Sequence, residues 1–328
     1  MASYLRPRRG KKATATSNNI VLKRGEVFFE VPDTGVGTGM GKIKMGDGTT
    51  AYGSLPYFNE AIDPSTITGI QNSITQLNND LIGYGQGHNA IYRGKNLGTI
   101  TSANLSTFLS DHGITNGTFT DLYLGDYFVI QDGTYNAEWM VAGFNTHMNK
   151  GSSNIVTANH IAIIPRTTLF NDKMNSEHVT TGGYKGSYMH TTVMATVTTK
   201  LNGVLGTHLL TRDALLSNTV DTTNKSSAYT AWTGASSNWE WVATRCELMT
   251  ETEVYGAPIF SSSAYDQGEG CMKLPVFNFI NHVQFARAHF WLRSVANSTG
   301  FCFASGDGLA NYGGAGFSFG VRPLALLG

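Results

Sequence analysis

The apolar stretches of this chain are short, and each runs into turn residues. HIAIIP (160–165) stops at proline, HFWLRS (289–294) leads into Ala, Asn, Ser and Gly, and VRPLALL (321–327) meets Gly328. LGDYFVIQDGTYNAEWMVAGFNT (124–146) alternates around an Asp-Gly turn. β-Branched and aromatic residues in runs this short make strands, and Asp-Gly closes a hairpin. With 38 glycines and 8 prolines, turns are available throughout. The pattern predicts a mostly β chain with minor α, an α+β fold, and 328 residues predict more than one folded unit.

Only 14% of the residues are charged, well under the roughly 25% of an average soluble chain, so Thr, Asn, Ser and Gly must cover much of the surface. No apolar run reaches the ~18 residues of a membrane-spanning helix, and the first residues lack the apolar centre of a secretory signal. The expectation is a soluble protein without membrane insertion, outside the ordinary secretory route.

Charge is concentrated at the start. Arg6, Arg8, Arg9, Lys11, Lys12, Lys23 and Arg24 all precede the first acid, Glu26. Residues 1–19 read as a basic flexible arm. Its only aromatic is Tyr4, and it is short, so an acidic protein partner fits it better than nucleic acid.

Residues 20–60 read as a small β domain. IVLKRGEVFFEV (20–31) has strand, turn, strand character, and KIKMGDGTTAYGSLPYF (42–58) adds a strand, a GDG turn and an aromatic finish. Between them TGVGTGMGK (34–42) lacks phosphate-loop spacing, since Val36 stands where the first glycine is needed and Ile43 comes after the lysine. It reads as a hairpin loop.

Residues 61–88 contain a heptad seam. Ile67, Ile70, Ile74, Leu77 and Leu81 recur at alternating spacings of three and four, Ser65 or Thr66 can cap the start, and Gly83 stops the helix. Isoleucine at both seam positions moves the preference from dimers towards trimers, so a homotrimer is expected, with other contacts holding the copies close.

Residues 89–328 read as strands and polar loops. ANLSTFLSDHG (103–113), TRDALLSN (211–218) and ATRCELMTETEVYG (243–256) are the helix candidates; in the last, Thr250 caps, Glu253 lies three later and Gly256 ends the helix. PVFNFINHV (275–283) reads as strand, and VRPLALL is expected beside HFWLRS.

No chemistry stands out. Cys246, Cys271 and Cys302 form no disulfide or zinc pattern and read as buried small hydrophobes. The nine histidines lack metal-ligand spacing, and Asp121, Asp126, Glu240, Glu247, Glu251 and Asp307 read as scattered, solvated carboxylates. SGDGLAN (305–311) makes Asp307 the one metal candidate, for calcium, although a tight turn accounts for it without an ion. Neither an enzyme nor a cofactor is expected.

Two resemblances add to this. LKRGEVFFE and KIKMGDGTTAYGSLPYF resemble, from Lys23 to Phe58, a small N-terminal domain of phage tail and receptor-binding proteins, which implies that this end attaches a fibre to the particle, with Arg6, Arg8, Arg9, Lys11 and Lys12 in the attachment site. FWLRS, the polar-aromatic stretch after it and GVRPLALL resemble the close of C-type-lectin-like domains, as in phage tropism determinants and the formylglycine-generating-enzyme group. ELMTETEVYG is similar to a helix of that group, and MNSEHVTTGGYKGSYMH (174–190) to a domain common in phages and prophages. The catalytic cysteine pair of the enzyme group has no counterpart, since Cys271 and Cys302 lie outside any matching motif.

The resemblance implies recognition through C-terminal loops. Asn297, Ser298, Phe301, Phe303, Ser305, Asn311, Tyr312, Phe317 and Phe319 have the aromatic and small polar character of binding loops, and strand alternation turns about half the rings inward. The resemblances together imply a virion-exterior fibre protein that binds a bacterial surface glycan or protein, with tail or capsid proteins as partners at its N-terminus. The alternative is a structural head fibre or decoration protein without receptor binding.

Overall fold

The computed structural model describes residues 8–31, 42–58, 64–83, 88–220, 236–261, 273–279 and 287–328. The chain divides into two compact units, Met1–Leu77 and Asn78–Gly328. It is mostly β with few helices.

The first unit carries strands β1 (Arg8–Lys11), β2 (Val27–Val31) and β3 (Ile43–Met45) and the short helix α1 (Lys12–Ser17). The sheet order is β1-β2-β3, with β1 parallel and β3 antiparallel to β2. Ala15, Leu22, Phe28, Tyr52 and Leu55 form its core. Residues 8–17 are therefore strand and helix rather than a loose arm: Ala15 is buried and Gly10 lies against the Phe28 ring. Arg8, Arg9, Lys11 and Lys12 face solvent, and Arg6 lies outside the described residues. Residues 20–22 contribute a single bridge, Val21 to Ala51, instead of a strand. The proposed hairpin loop at 34–42 falls almost wholly outside the described residues.

The GDGTT stretch has a local cause. Asp47 accepts from the Thr49 and Thr50 amides at 2.8 and 2.7 Å, and Gly48 takes the left-handed φ of 89°. Buried Lys44 donates to the Tyr52 carbonyl at 2.8 Å and lies over the Tyr52 and Tyr57 rings, whose hydroxyls both donate to Glu30 at 2.7 Å. A Cβ at Gly46 would overlap the Lys23 carbonyl and Leu22. Gly46→Ala is expected to lower the stability of this unit by about 1–3 kcal/mol, read from its chemical unfolding curve.

Helix α2 (Pro64–Gly83) comes next, ending at the expected glycine. Ile67, Ile70, Ile74 and Leu77 are 45–59% exposed, whereas the side chain of Leu81 lies outside the described ones.

The second unit contains strands β4 (Asn96–Ile100), β5 (Tyr127–Ile130), β6 (Glu138–Phe144), β7 (Ile161–Pro165) and β8 (Asn171–Lys173), with helix α3 (Leu105–Asp111) between β4 and β5. A π-helical turn (Met189–Met194) runs into α4 (Ala195–Leu205). Then come β9 (Arg212–Val220), β10 (Ser236–Thr244), β11 (Cys246–Leu248) and α5 (Glu251–Tyr255). The chain closes with β12 (Phe290–Val295), β13 (Gly300–Ala304), β14 (Ala310–Gly314), β15 (Ser318–Gly320) and β16 (Pro323–Leu327).

One sheet runs β11-β16-β7-β6-β5-β4, a second β14-β13-β12-β15-β8, and β9 pairs with β10. Alternate residues serve two core clusters. Ile161, Ile163, Ala325 and Leu327 join one, and Ala162, Ile164, Leu324 and Leu326 the other. Burial on both faces is why these strands read as continuous apolar runs.

Several expectations change. VRPLALL does not lie beside HFWLRS: β16 sits between β7 and β11, and β12 between β13 and β15 in the other sheet. TRDALLSN is strand, with Arg212, Asp213 and Ala214 all buried while β9 pairs along β10. In ATRCELMTETEVYG only Glu251–Tyr255 is helical, and the residues before Thr250 belong to β10 and β11. The capping box of Thr250 and Glu253 forms as read, with Gly256 left-handed at the end. PVFN is a 3-10 turn rather than strand. Cys246 and Cys302 are buried, and Cys271 lies outside the described residues.

His147 and His160 are buried side by side, the His147 amide donating to His160 Nε2 at 3.1 Å. Burial lowers both pKa values from 6.5 to about 4. The unfolded chain therefore takes up these protons first. Stability is whole above about pH 6.5 and falls as the pH drops towards 4, at up to about 1.4 kcal/mol per pH unit for each group. Urea midpoints measured from pH 7.5 to 4.5 should decline over this window, and less so in His147→Asn.

Candidate functional site

The nine C-terminal candidates lie on or beside the β13–β14 hairpin and β15. Phe301 and Phe303 sit within β13, not on a loop, and both rings are buried, as is Ser305. Asn311, Tyr312 and Phe317 are exposed, and Asn297, Ser298 and Phe319 are half-buried at the edge. β13 is buried on both faces, Phe301 and Phe303 entering one core cluster and Cys302 and Ala304 the other, while Asn311 and Tyr312 on β14, at the edge of the sheet, are exposed.

Beside Phe317 lies a ring cluster. Phe319 packs 4.6 Å from both Phe303 and Trp291 and 5.2 Å from His289, centroid to centroid. A Cβ at Gly313 would press on the Phe303 and Phe319 rings, so glycine there lets β14 approach them. Phe317 stands edge-on to His178 at 4.8 Å, and His178 Nδ1 accepts from the Gly316 amide at 3.2 Å. Tyr312 lies 5.4 Å from Phe260. His178 and Phe260 escape a reading of the sequence because they come from segments 50 or more residues away on the chain. The result is an exposed pair of Phe317 and His178 beside the ring cluster, and a separate exposed Tyr312 against Phe260.

Asp307 belongs to the turn that closes the hairpin. Ser305 donates its hydroxyl to the Asp307 carboxylate, which lowers the Asp307 pKa, and Gly308, at φ 87°, donates to the Ser305 carbonyl at 2.8 Å. Among the described residues no group of three or more His, Cys, Asp or Glu side chains is arranged to hold a metal ion.

The carboxylates read as solvated divide differently. Asp121 is exposed beside Arg93 and Lys95, and Glu240 pairs with Lys185. Asp126, Glu247 and Glu251 are buried. Asp126 accepts from Arg93 Nη2 at 2.6 Å and from two backbone amides. Glu251 gathers the amides of Ile259, Phe260 and Ser261 and the Ser261 hydroxyl, all within 3.1 Å. It thereby ties the segment carrying Phe260 to α5.

Glu247 has a different setting. Its Oε2 accepts from the Tyr184 hydroxyl at 2.7 Å, and its Oε1 lies 2.9 Å from both Thr244 Oγ1 and His190 Nδ1. Burial raises the Tyr184 pKa, and the adjacent carboxylate raises it further. This group borders open space on the protein surface. Nothing in the spacing of residues 184, 190, 244 and 247 signals it.

Glu251→Gln would turn an amide group towards three backbone donors. A loss of about 2–3 kcal/mol in unfolding free energy is expected, together with weakened packing of Phe260 on Tyr312 seen as a change in aromatic circular dichroism.

No protein-family model, curated protein or solved structure matches this chain.

Proposed function

We propose that this chain is a receptor-binding fibre protein of a phage particle. In this reading the N-terminal unit attaches it to tail or capsid, α2 joins three copies, and a C-terminal C-type-lectin-like domain binds a glycan on the host surface. The observation that carries the reading is the exposed pair of Phe317 and His178 beside the Phe319, Phe303 and Trp291 rings, with Tyr312 exposed separately against Phe260. Aromatic faces stack on sugars and lose little entropy on binding, and Asn311 beside them supplies adaptable hydrogen bonds.

The α2 row supports self-association. Four large apolar side chains at heptad spacing stand half-exposed, a pattern that a homotrimer would cover. Arg8, Arg9, Lys11 and Lys12, exposed on β1 and the start of α1, supply positive charge for docking on an acidic virion protein. Three weak sites on one particle then act by avidity. The burial of Phe301, Phe303 and Ser305 favours a second reading, in which the C-terminal unit is only a stable tip of a head fibre or decoration protein.

The full chain should sediment as a trimer, and Ile70→Asn/Ile74→Asn as a monomer. Binding to bacterial cells should fall at least tenfold in Tyr312→Ala/Phe317→Ala with an unchanged melting temperature. Absence of cell binding by the intact trimer would leave the structural-fibre reading.

A further inference from the structure

Two clefts meet along the π-helical turn. One, of about 440 Å³, is bordered by His190, Thr211, Thr244, Arg245 and Glu247; the other, of about 510 Å³, by Lys173, Asn175, Ser176 and Tyr188. Thr191 borders both. The turn has a local cause. Ser187 Oγ accepts from the His190 amide at 3.1 Å, and the Ser187 carbonyl accepts from both the Thr191 amide at 3.0 Å and Thr191 Oγ1 at 2.9 Å, so side chains join the backbone ladder at the start of the turn. Such turns are rare and concentrate at functional sites.

The first cleft has a fixed polar floor. Glu247 is 2% exposed and is oriented by Tyr184 and Thr244, and its Oε1 lies 2.9 Å from His190 Nδ1. That nitrogen is shut from solvent, while the His190 side chain is 17% exposed, so the edge bearing Nε2 is the one that reaches the cleft. Buried Arg212 offsets the carboxylate from within.

The charges at the two ends are of one sign. Arg245 donates Nε to Thr211 Oγ1 at 3.0 Å and Nη1 to Asn202 Oδ1, both neutral acceptors. Among the described residues neither Arg245 nor Lys173 has a carboxylate partner. Arg93, Lys95, Arg166 and Lys185 of the same unit are, by contrast, all paired with acids.

The second cleft adjoins the aromatic patch. Met174 and Asn175 both donate amides to the Ala315 carbonyl, at 2.9 and 3.0 Å, and His178 accepts from Gly316. The wall of the cleft and the loop bearing Phe317 are thus one piece.

We propose that the two clefts form one groove for an anionic, polyhydroxylated saccharide chain. Its acid groups sit at Lys173 and Arg245, and its hydroxyls at Thr191, Thr244 and His190. The chain then continues onto the Phe317 and His178 patch. The Thr191 and Thr244 hydroxyls, whose protons go to the Ser187 carbonyl and Glu247, are left to accept from sugar hydroxyls, and cations without acid partners on a rigid wall favour an anion without reorganisation. The inference rests on the glycan-binding reading of this unit and adds its place, extent and charge.

The test titrates the full-length protein with three oligosaccharides of matched length: neutral dextran, phosphorylated dextran and a uronic-acid oligomer. At least one anionic chain should bind tenfold or more tightly than dextran at 0.15 M salt, and the tighter of the two identifies phosphate or carboxylate as the natural charge. Lys173→Gln/Arg245→Gln should remove that preference with an unchanged melting temperature. Lys23→Gln/Lys150→Gln, which removes the same charge elsewhere, should keep it, and Thr191→Val should weaken binding several-fold. The proposal is overturned if the wild type shows no anionic preference, or if the preference survives in Lys173→Gln/Arg245→Gln. Survival there, with cell binding lost in Tyr312→Ala/Phe317→Ala, would sink the groove and spare the receptor-binding reading. A charge-dependent groove in a protein that binds no cells would do the reverse.

Discussion

The second unit depends on burying β16 on both of its faces. Leu324 and Leu326 enter one core cluster, and Ala325 and Leu327 the other. Its edges are occupied as well, by β7 and β11. Arg322, just before it, is wholly buried over the Phe290 ring, and its Nε donates to the Pro165 carbonyl, 157 residues earlier. Burial lowers the Arg322 pKa to about 9, and the guanidinium is kept by its carbonyl and ring partners. The strand therefore closes contacts of very long range, which are slow to form and cooperative once made.

Around this strand the interior holds charge as well as apolar groups. Burial would raise the Glu253 pKa, yet Arg293, the His147 hydrogen bond and Arg212 bring it to about 2. The same carboxylate caps α5 through the Thr250 amide at 2.7 Å. One side chain thus serves a local helix cap and a long-range ionic cluster, and removing it would leave Arg293 and Arg212 under-compensated in a dry interior. Such a centre holds the surrounding strands in one register.

That rigidity is what makes the surface useful. The aromatic patch and the π-turn groove are assembled from β8, the loop after it, the π turn, β11 and the C-terminal hairpins, and each is pinned by buried neighbours. Groups held in place before a ligand arrives spend little of the binding energy on ordering. Under the proposed glycan-binding function, the partner of this low-charge surface would be a polar, ring-bearing polymer.

What the sequence determined by itself is what depends on a few consecutive residues. Thr250, Glu253 and Gly256 specify their helix cap, Asp47 and Gly48 their turn, the heptad row α2, and the apolar runs their strands, because each is a matter of local dihedrals and hydrogen bonds spanning at most a few residues. TRDALLSN misled because consecutive Arg212, Asp213 and Ala214 are all buried in the strand, so it carries no period of two to read. Only the tertiary structure decided that Phe301 and Phe303 point inward while Tyr312 and Phe317 point out, that VRPLALL pairs with β7 rather than β12, and that His190 and Arg245 border one cleft and Lys173 another, with Thr191 on both. These outcomes depend on which distant segment covers which face, and the free energy that chooses among them comes from burial across the whole core rather than from any local run of residues.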